Sequence, residues 1–463
     1  MQTVIRYGVL CAVAFASTAP GFGQATGLVS GQAPLALPGY ADMPPISVHS
    51  LPGGYANNAL TFDAQTGALI SGGFGNASIT ANVKATAPLG NDDRFGASDL
   101  RPNLSTIDGL NTLATFSRTF VSQAGPSAGR DFRFTMIGND PQLGGTTEYP
   151  AVIDEVSLQL LNADGSVFQT VSFSPFEQQT LESPNFEPLD YRSGHHVEFA
   201  DAVHRAEFYN AMKNNWHTLL IPEVVNKGTI TVPFFVNVQL QDGTVVQARS
   251  YFTGKASDGS TFVLLLRPLF NFFFDNEVVN QINQGNFTTN ALNMTLFPNT
   301  FLFDLNANKP NTPGGCCVLG FHTYFLDGAF PESRWVTEYA SWISPGLFGA
   351  GFQDVTALSH ETSEAFADPF VDNSTPNWQF PGEPANAKVC QANLEDGDPI
   401  EVLPNATAAI EVKEGKEFDM TFHPQNIVMY QWFEMGATSN AIDGAFSFPD
   451  ETVLKQSALP CPQ

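Results

Sequence analysis

The chain has 463 residues, 46 of them acidic and only 20 basic, for a formal charge of −26. A surface of that sign repels phosphate backbones and anionic membranes, so nucleic-acid binding is excluded as a function class. Hydrophobic residues make up 43% and charged residues 14%, with 40 phenylalanines, which is material for large cores and not for disorder, in a length that accommodates two domains.

Residues 1–25 read as a secretory signal. Arg6 supplies the positive end, YGVLCAVAFA the apolar stretch and Gly23-Gln24-Ala25 a small-residue cleavage site. A secreted or periplasmic product starting near Thr26 is therefore expected. Cys11 follows Leu10 instead of a small residue, which argues against a lipid anchor. Residues 26–125 are rich in Gly, Ala, Asn and Pro, with alternating pieces such as ALTFDAQTGALISGG around a turn-like Asp63-Ala64-Gln65-Thr66-Gly67, and predict a β-rich N-terminal region. Gly125-Pro126-Ser127-Ala128-Gly129 matches the Gly-x-Ser-x-Gly nucleophile pattern. That pattern needs a helix after it, whereas DFRFTMIG reads as a strand, so a loop is expected.

Residues 126–463 are read as one α+β domain. AVIDEVSLQLL and SVFQTVSFS are strands joined at Asn162-Ala163-Asp164-Gly165, a hairpin signal. VEFADAVHRAEFYNAM predicts a helix from Val197 to Met212, and TITVPFFVNVQLQDGTVVQARSYFTG a second hairpin turning at Asp242-Gly243. FVLLLRPLFNFFF is broken by Arg267, Pro268 and Asn271, so it reads as buried core and not as a membrane span. His195, His196, His204 and His217 are expected to pack or face solvent and not to form a second metal cluster. Asp304-x-Asn306-x-Asn308 opens like a calcium loop, but Lys309 and Gly315 stand at its sixth and twelfth positions, where Gly and Glu are required. An EF-hand is excluded.

Four cysteines follow the leader: Cys316, Cys317, Cys390 and Cys461. An even count in an exported chain predicts disulfides. Adjacent cysteines close a strained ring, so Cys316 and Cys317 are expected to pair with Cys390 and Cys461, in an undetermined order.

The segment DVTALSHETSEAFADPF carries the chemistry. Asp354 reads as an N-cap, Val355 to Ala367 contains no Gly or Pro, and Pro369 closes the helix. Val355, Leu358, Thr362, Ala365 and Phe366 share one side; His360, Glu361, Glu364 and Asp368 share the other. Residues four apart stack on one face, so His360 and Glu364 can reach one ion with Glu361 beside it. The familiar motif is His-Glu-x-x-His, in which the Glu is general base toward a metal-activated water. Glu364 replaces the second His and remains an oxygen ligand for zinc. The bland alternative is a solvated acidic face. Against it, the like-charge pairs Glu361/Glu364 and Glu364/Asp368 each cost a few tenths of a kcal/mol unless a cation offsets them.

A catalytic zinc needs a third protein ligand and an open position. His322 in GGCCVLGFHTYF and Glu395 in CQANLEDGDP are the candidates, with Asp398 following Glu395 in the same turn. The expected fold is α+β, with a zincin-like core of mixed or antiparallel sheet and a metal-site helix. The expected function is a zinc-dependent, peptidase-like hydrolase acting on a peptide or protein, with Glu361 as base. Its rival is a non-catalytic extracellular or cell-wall-associated protein with a structural metal or acidic cluster.

GGCCVLGFHTYF, SHETSEAFADPF, Trp378, NLEDGDP and the closing HPQNIVMYQWFEMGATSNAIDGAFSFPD resemble a group of secreted bacterial proteins, over about Asp131 to Asp450. More distantly, a Cys…Gly-Phe-His-Thr segment with a later His-Glu-x-x-Glu and Asp-Pro is similar to the exordium, or phosphate-induced extracellular, family. The resemblance implies a site built from His360, Glu361 and Glu364 with His322 and Glu395, and implies no substrate.

Overall fold

The computed structural model describes residues 113–434, apart from 191–195, 209–210, 240–244, 307, 328–332, 349–350, 379–390, 402–405 and 413–419. Of residues 1–112, five strand segments of two or three residues are described: Val4–Arg6 and Cys11–Ala12 pair with Gly320–Asp327, Ile46–Ser47 with Phe235–Gln239, and Thr61–Phe62 with Leu69–Ser71. Apart from those segments, the expected leader and the N-terminal region up to residue 112, with the Asp242-Gly243 turn, Cys390, Cys461 and the chain from 435 onward, lie outside the described residues. The fold is mixed α+β, with strands predominating.

Eight elements position the site: β1 (Gly145–Leu161), α1 (Phe199–Glu207), β2 (Trp216–Val232), α2 (Arg267–Gln284), β3 (Leu292–Pro298), β4 (Gly320–Asp327), β5 (Arg334–Trp342) and α3 (Thr356–Ala367). The sheet is mixed, in the order β4-β5-β3-β1-β2. β5, β3, β1 and β2 run parallel, and β4 is antiparallel to β5. Strand Val167–Val171 returns antiparallel along β1 through the expected turn, where Gly165 adopts φ +83°, a conformation that Gly takes without steric cost. β3, LNMTLFP, is buried along its whole length, as a parallel strand covered on both faces must be.

The strand period of two sorts the residues of β4 and β5 onto two faces. Phe321 lies opposite Tyr339, and His322 opposite Glu338. The Phe321/Tyr339 face meets α2: Phe270 stands 4.4 Å from Tyr339 and Phe274 5.0 Å from Phe321, ring to ring. α3 packs on both strands, and the His322/Glu338 face is the one turned to it. FVLLLRPLFNFFF is therefore core, as expected, divided between strand Thr261–Leu266 and the first turns of α2. No helix among the described residues is long and apolar enough to cross a membrane.

Two expectations need correction. The helix predicted from Val197 to Met212 spans only Phe199–Glu207, because Val197 pairs with Leu189 in a short strand. Cys316 and Cys317 are bonded to each other and not to distant cysteines. Their strand, Pro313–Val318, slips register against Thr300–Leu305: Leu302 faces Val318 while Phe303 faces Cys316. The extra residue, Cys317, breaks the alternation that would otherwise point neighbouring side chains to opposite faces. As expected, Gly125-Pro126-Ser127 lies in a connection, a single 3-10 turn between the paired strands Thr115–Val121 and Asp131–Ile137, and no α-helix follows it to support a nucleophile.

Candidate metal centre

α3 forms where the sequence lacks helix breakers, and it is wholly buried from Thr356 to Ala367. This removes the solvated-face alternative: both sides of the helix are interior. Asp354 does not cap it. At φ +48° its carboxylate accepts the N–H groups of Val355 and His423 and meets His423 Nδ1 at 2.7 Å. The competing imidazole draws it out of the cap, and the Thr356 hydroxyl closes the entry turn onto the Gln353 carbonyl at 2.7 Å. The helix ends ahead of Pro369, with the Asp368 N–H on the Glu364 carbonyl.

Three segments bring the polar groups together under this helix. β4 delivers His322, whose Nε2 donates to the Asp368 carbonyl at 3.1 Å. In the neutral ring that bond makes Nδ1 the lone-pair nitrogen, facing the carboxylates, the arrangement by which outer partners orient imidazole ligands. β5 delivers Glu338, which accepts the Thr362 hydroxyl at 3.3 Å. The third segment is 394–401. Strands Ser374–Trp378 and Gln391–Asn393 pair, the Leu394 N–H bonds the Asn373 carbonyl, and the Val428 N–H bonds the Asp396 carbonyl. These bonds fold Glu395, Asp396 and Asp398 back against the helix.

His360 Nε2 lies 3.0 Å from Glu364 Oε1 and 3.5 Å from Asp398 Oδ1. His322 Nδ1 lies 3.6 Å from Glu361 Oε2, 3.6 Å from Glu364 Oε2 and 3.9 Å from Glu395 Oε2. Two sets, His360/Glu364/Asp398 and His322/Glu361/Glu364, each gather their ligand atoms within 4.8 Å of one another. Both sets are buried, His322 and Glu361 completely. His322 Nδ1, both nitrogens of His360, both oxygens of Glu361, Glu395 Oε2 and Asp398 Oδ1 find no hydrogen-bond partner. An unpaired buried polar atom costs about 1–3 kcal/mol, so this cluster fits a cation far better than it fits a packed core. His360 Nε2 and Glu364 Oε1 are close without hydrogen-bond alignment, as expected of atoms that face a common third point.

Two glycines make the room. A Cβ on Gly320 would fall 2.6 Å from Glu361 Oε1, and one on Gly397 would fall 2.6 Å from His360 Nδ1. The Gly397 N–H also donates to Glu364 Oε1 at 3.2 Å, fixing the carboxylate that both sets share.

The electrostatics follow from crowding. Burial pushes Glu361 up to about 7, with His322 and His360 opposing. Burial, then the charge of Glu364, pushes Asp398 up to about 7 and Asp396 to about 8. Burial and Glu364 raise Glu395 well above the usual carboxylate range; burial and Asp398 do the same to Glu401. Burial acts against the cationic form of both histidines, yet the carboxylates outweigh it and hold His322 and His360 well above an ordinary imidazole. Glu364, also buried, is pulled the other way, below its ordinary value, by His360 and His322.

All five residues singled out in the sequence meet here, but not in one set. His322 and Glu395 attend the Glu361 side and the second oxygen of Glu364, while His360 takes Asp398 as its partner. Asp398 stands three residues after Glu395, and nothing in the sequence chooses between them. Glu338, Asp396 and Glu401 escape a reading of the sequence; the pairing of Glu338 with His322 is visible only once the register of β4 on β5 is known. The upstream histidines form no such cluster among the described residues. His204 packs among rings, and His217 pairs with Asp201 at 2.8 Å. No protein-family model, curated protein or solved structure matches the chain.

Proposed function

We propose that this chain is an exported, zinc-dependent hydrolase of peptide bonds, with a metal-site helix laid on a sheet in zincin-like fashion. The reading is carried by the convergence of His360 Nε2, Glu364 Oε1 and Asp398 Oδ1 in a buried space where two of the three, His360 Nε2 and Asp398 Oδ1, have no other bond to make. These three residues would hold the ion. Zinc so held supplies Lewis acidity, polarising a carbonyl and acidifying a water. Glu361 takes a proton from the attacking water and passes it to the leaving amide nitrogen, as the water oxygen joins the carbonyl carbon and the C–N bond breaks. One imidazole and two carboxylates donate more negative charge than a two-histidine site, so turnover is expected to be slow.

One observation favours a second reading, in which the ion braces the fold: Glu361 and His360 are 0% and 1% exposed. Elemental analysis alongside turnover of a mixed peptide library separates the two. Glu361→Gln should keep zinc at His360 while hydrolysis falls about 10²- to 10⁴-fold, and His360→Ala should lose that zinc and the activity together. A zinc-loaded parent that cleaves no peptide, ester or amide would leave the bracing role in place of the catalytic one.

A further inference from the structure

The geometry points to a second cation site, formed by His322, Glu361 and Glu364 with Glu395 beside His322, and bridged to the first through Glu364, so that the centre is dinuclear. The inference rests on the metal-centre reading above and extends it.

Glu364 is the hinge of the argument. Its Oε1 faces His360 and its Oε2 faces His322, so its two oxygens serve two different groups of ligand atoms. The set around His360 is complete without His322, which leaves His322 and Glu395 with no assigned purpose. The His322 Nε2–H is committed to the Asp368 carbonyl, so Nδ1 of the neutral ring turns a lone pair toward three oxygens that are acceptors when their carboxylates are ionised.

A proton on Nδ1 is the alternative occupant, and the distances suit it less well than an ion. The three oxygens stand 3.6, 3.6 and 3.9 Å away, beyond the roughly 2.7–3.2 Å of an N–H···O bond. Ligands about 2.0–2.1 Å from a zinc ion at tetrahedral angles stand about 3.4 Å from one another. The spacing therefore suits atoms that share an ion better than atoms that share a proton. Glu395 is held for this by Asn393, whose amide donates to Oε1 at 2.7 Å and leaves Oε2 unpaired toward His322. One imidazole nitrogen among carboxylate oxygens suits zinc or manganese; an imidazole disfavours calcium. Glu361 keeps its proposed task, because Oε2 faces His322 while Oε1 stays unpartnered.

The test counts ions. Purified protein is dialysed against micromolar zinc and measured by native mass spectrometry and elemental analysis. Two zinc ions per chain are expected in the parent and one in His322→Ala. A parent with one ion, lost in His360→Ala and kept in His322→Ala, would overturn the second site and leave the proposed hydrolytic centre standing. A parent with none would overturn both. Two ions retained in His322→Ala would also remove the second site as drawn. Should that variant fail to fold, Glu395→Gln preserves shape, and weakening of the second zinc by about tenfold or more is expected. Unchanged affinity for both ions in Glu395→Gln would count against the second site.

Discussion

The molecule buries histidine in two ways, and the contrast separates a packed residue from a poised one. His204, on α1, sits among Phe116, Phe208, Trp216 and Phe366, with Nε2 on the Ile137 carbonyl at 3.1 Å. Burial pushes it down to about 4, opposed by that one hydrogen bond. His322 and His360 are buried as deeply, yet both are held well above an ordinary imidazole. Burial acts the same way in both regions. The difference is the excess of carboxylates, which in the second region outnumber the imidazoles and leave polar atoms on both sides unsatisfied.

The sharpest way to break the comparison is to remove the shared carboxylate. Glu364→Gln should lose all bound zinc, whereas His204→Phe should leave the zinc count unchanged. Where zinc stands at 100 times its dissociation constant, losing a bound ion costs about 2.7 kcal/mol of stability. Calorimetry with and without a chelator should therefore show a chelator-dependent fall in melting temperature for the parent and for His204→Phe, and none for Glu364→Gln. A chelator-sensitive Glu364→Gln would show that the ion sits elsewhere.

Crowding provides a finer comparison. Gly397→Ala and Gly320→Ala each place a Cβ 2.6 Å from a site atom, while Gly138→Ala places one 2.8 Å from Thr218 Oγ1 beside Phe116. Intrusions of this kind cost about 1–3 kcal/mol, so all three should unfold at lower urea concentration. Only the first two should also weaken zinc binding, measured by competition with a chromophoric chelator. Equal zinc affinity in Gly397→Ala and Gly138→Ala would mean that His360 is not a ligand.

The two regions also differ in how far they are legible in the sequence. The α3 helix can be read because nothing in Val355 to Ala367 breaks a helix and Pro369 ends it. Its interior position cannot, since a face bearing His360, Glu361 and Glu364 looks solvated until other segments supply its partners. Glu338 in RWVTEYASW looks like an outward-facing residue of an alternating strand, and only the register opposite His322 places it under the helix. Pro268 reads as a break in FVLLLRPLFNFFF, yet it stands in the first turn of α2, where its missing N–H costs nothing. The bulge at Cys317 is a property of strand pairing across residues 302–318 and leaves no local signal. His204 is the easier case: a histidine in an apolar helical pattern is more often packed than ligated, and this one is packed.

The smallest expected effect lies on the packed side and depends on pH. Burial holds His204 at about 4 in the folded chain, against about 6.5 for an ordinary imidazole. Because the folded value is depressed, the unfolded chain takes up the proton first. The contribution is complete above about pH 6.5 and is lost as pH falls through that value toward 4. Each tenfold difference in proton affinity between the folded and unfolded chain is worth about 1.4 kcal/mol, so roughly 2 kcal/mol should disappear between pH 7.5 and pH 5. Replacing His204 with Gln keeps a donor for the Ile137 carbonyl and removes the titration. Urea midpoints at the two pH values should then show the parent losing about 2 kcal/mol more than His204→Gln on acidification, with zinc counts matching at pH 7.5. Equal acid sensitivity in the two proteins would mean that the ring pocket tolerates an imidazolium, and that burial alone does not set the difference between the two kinds of histidine.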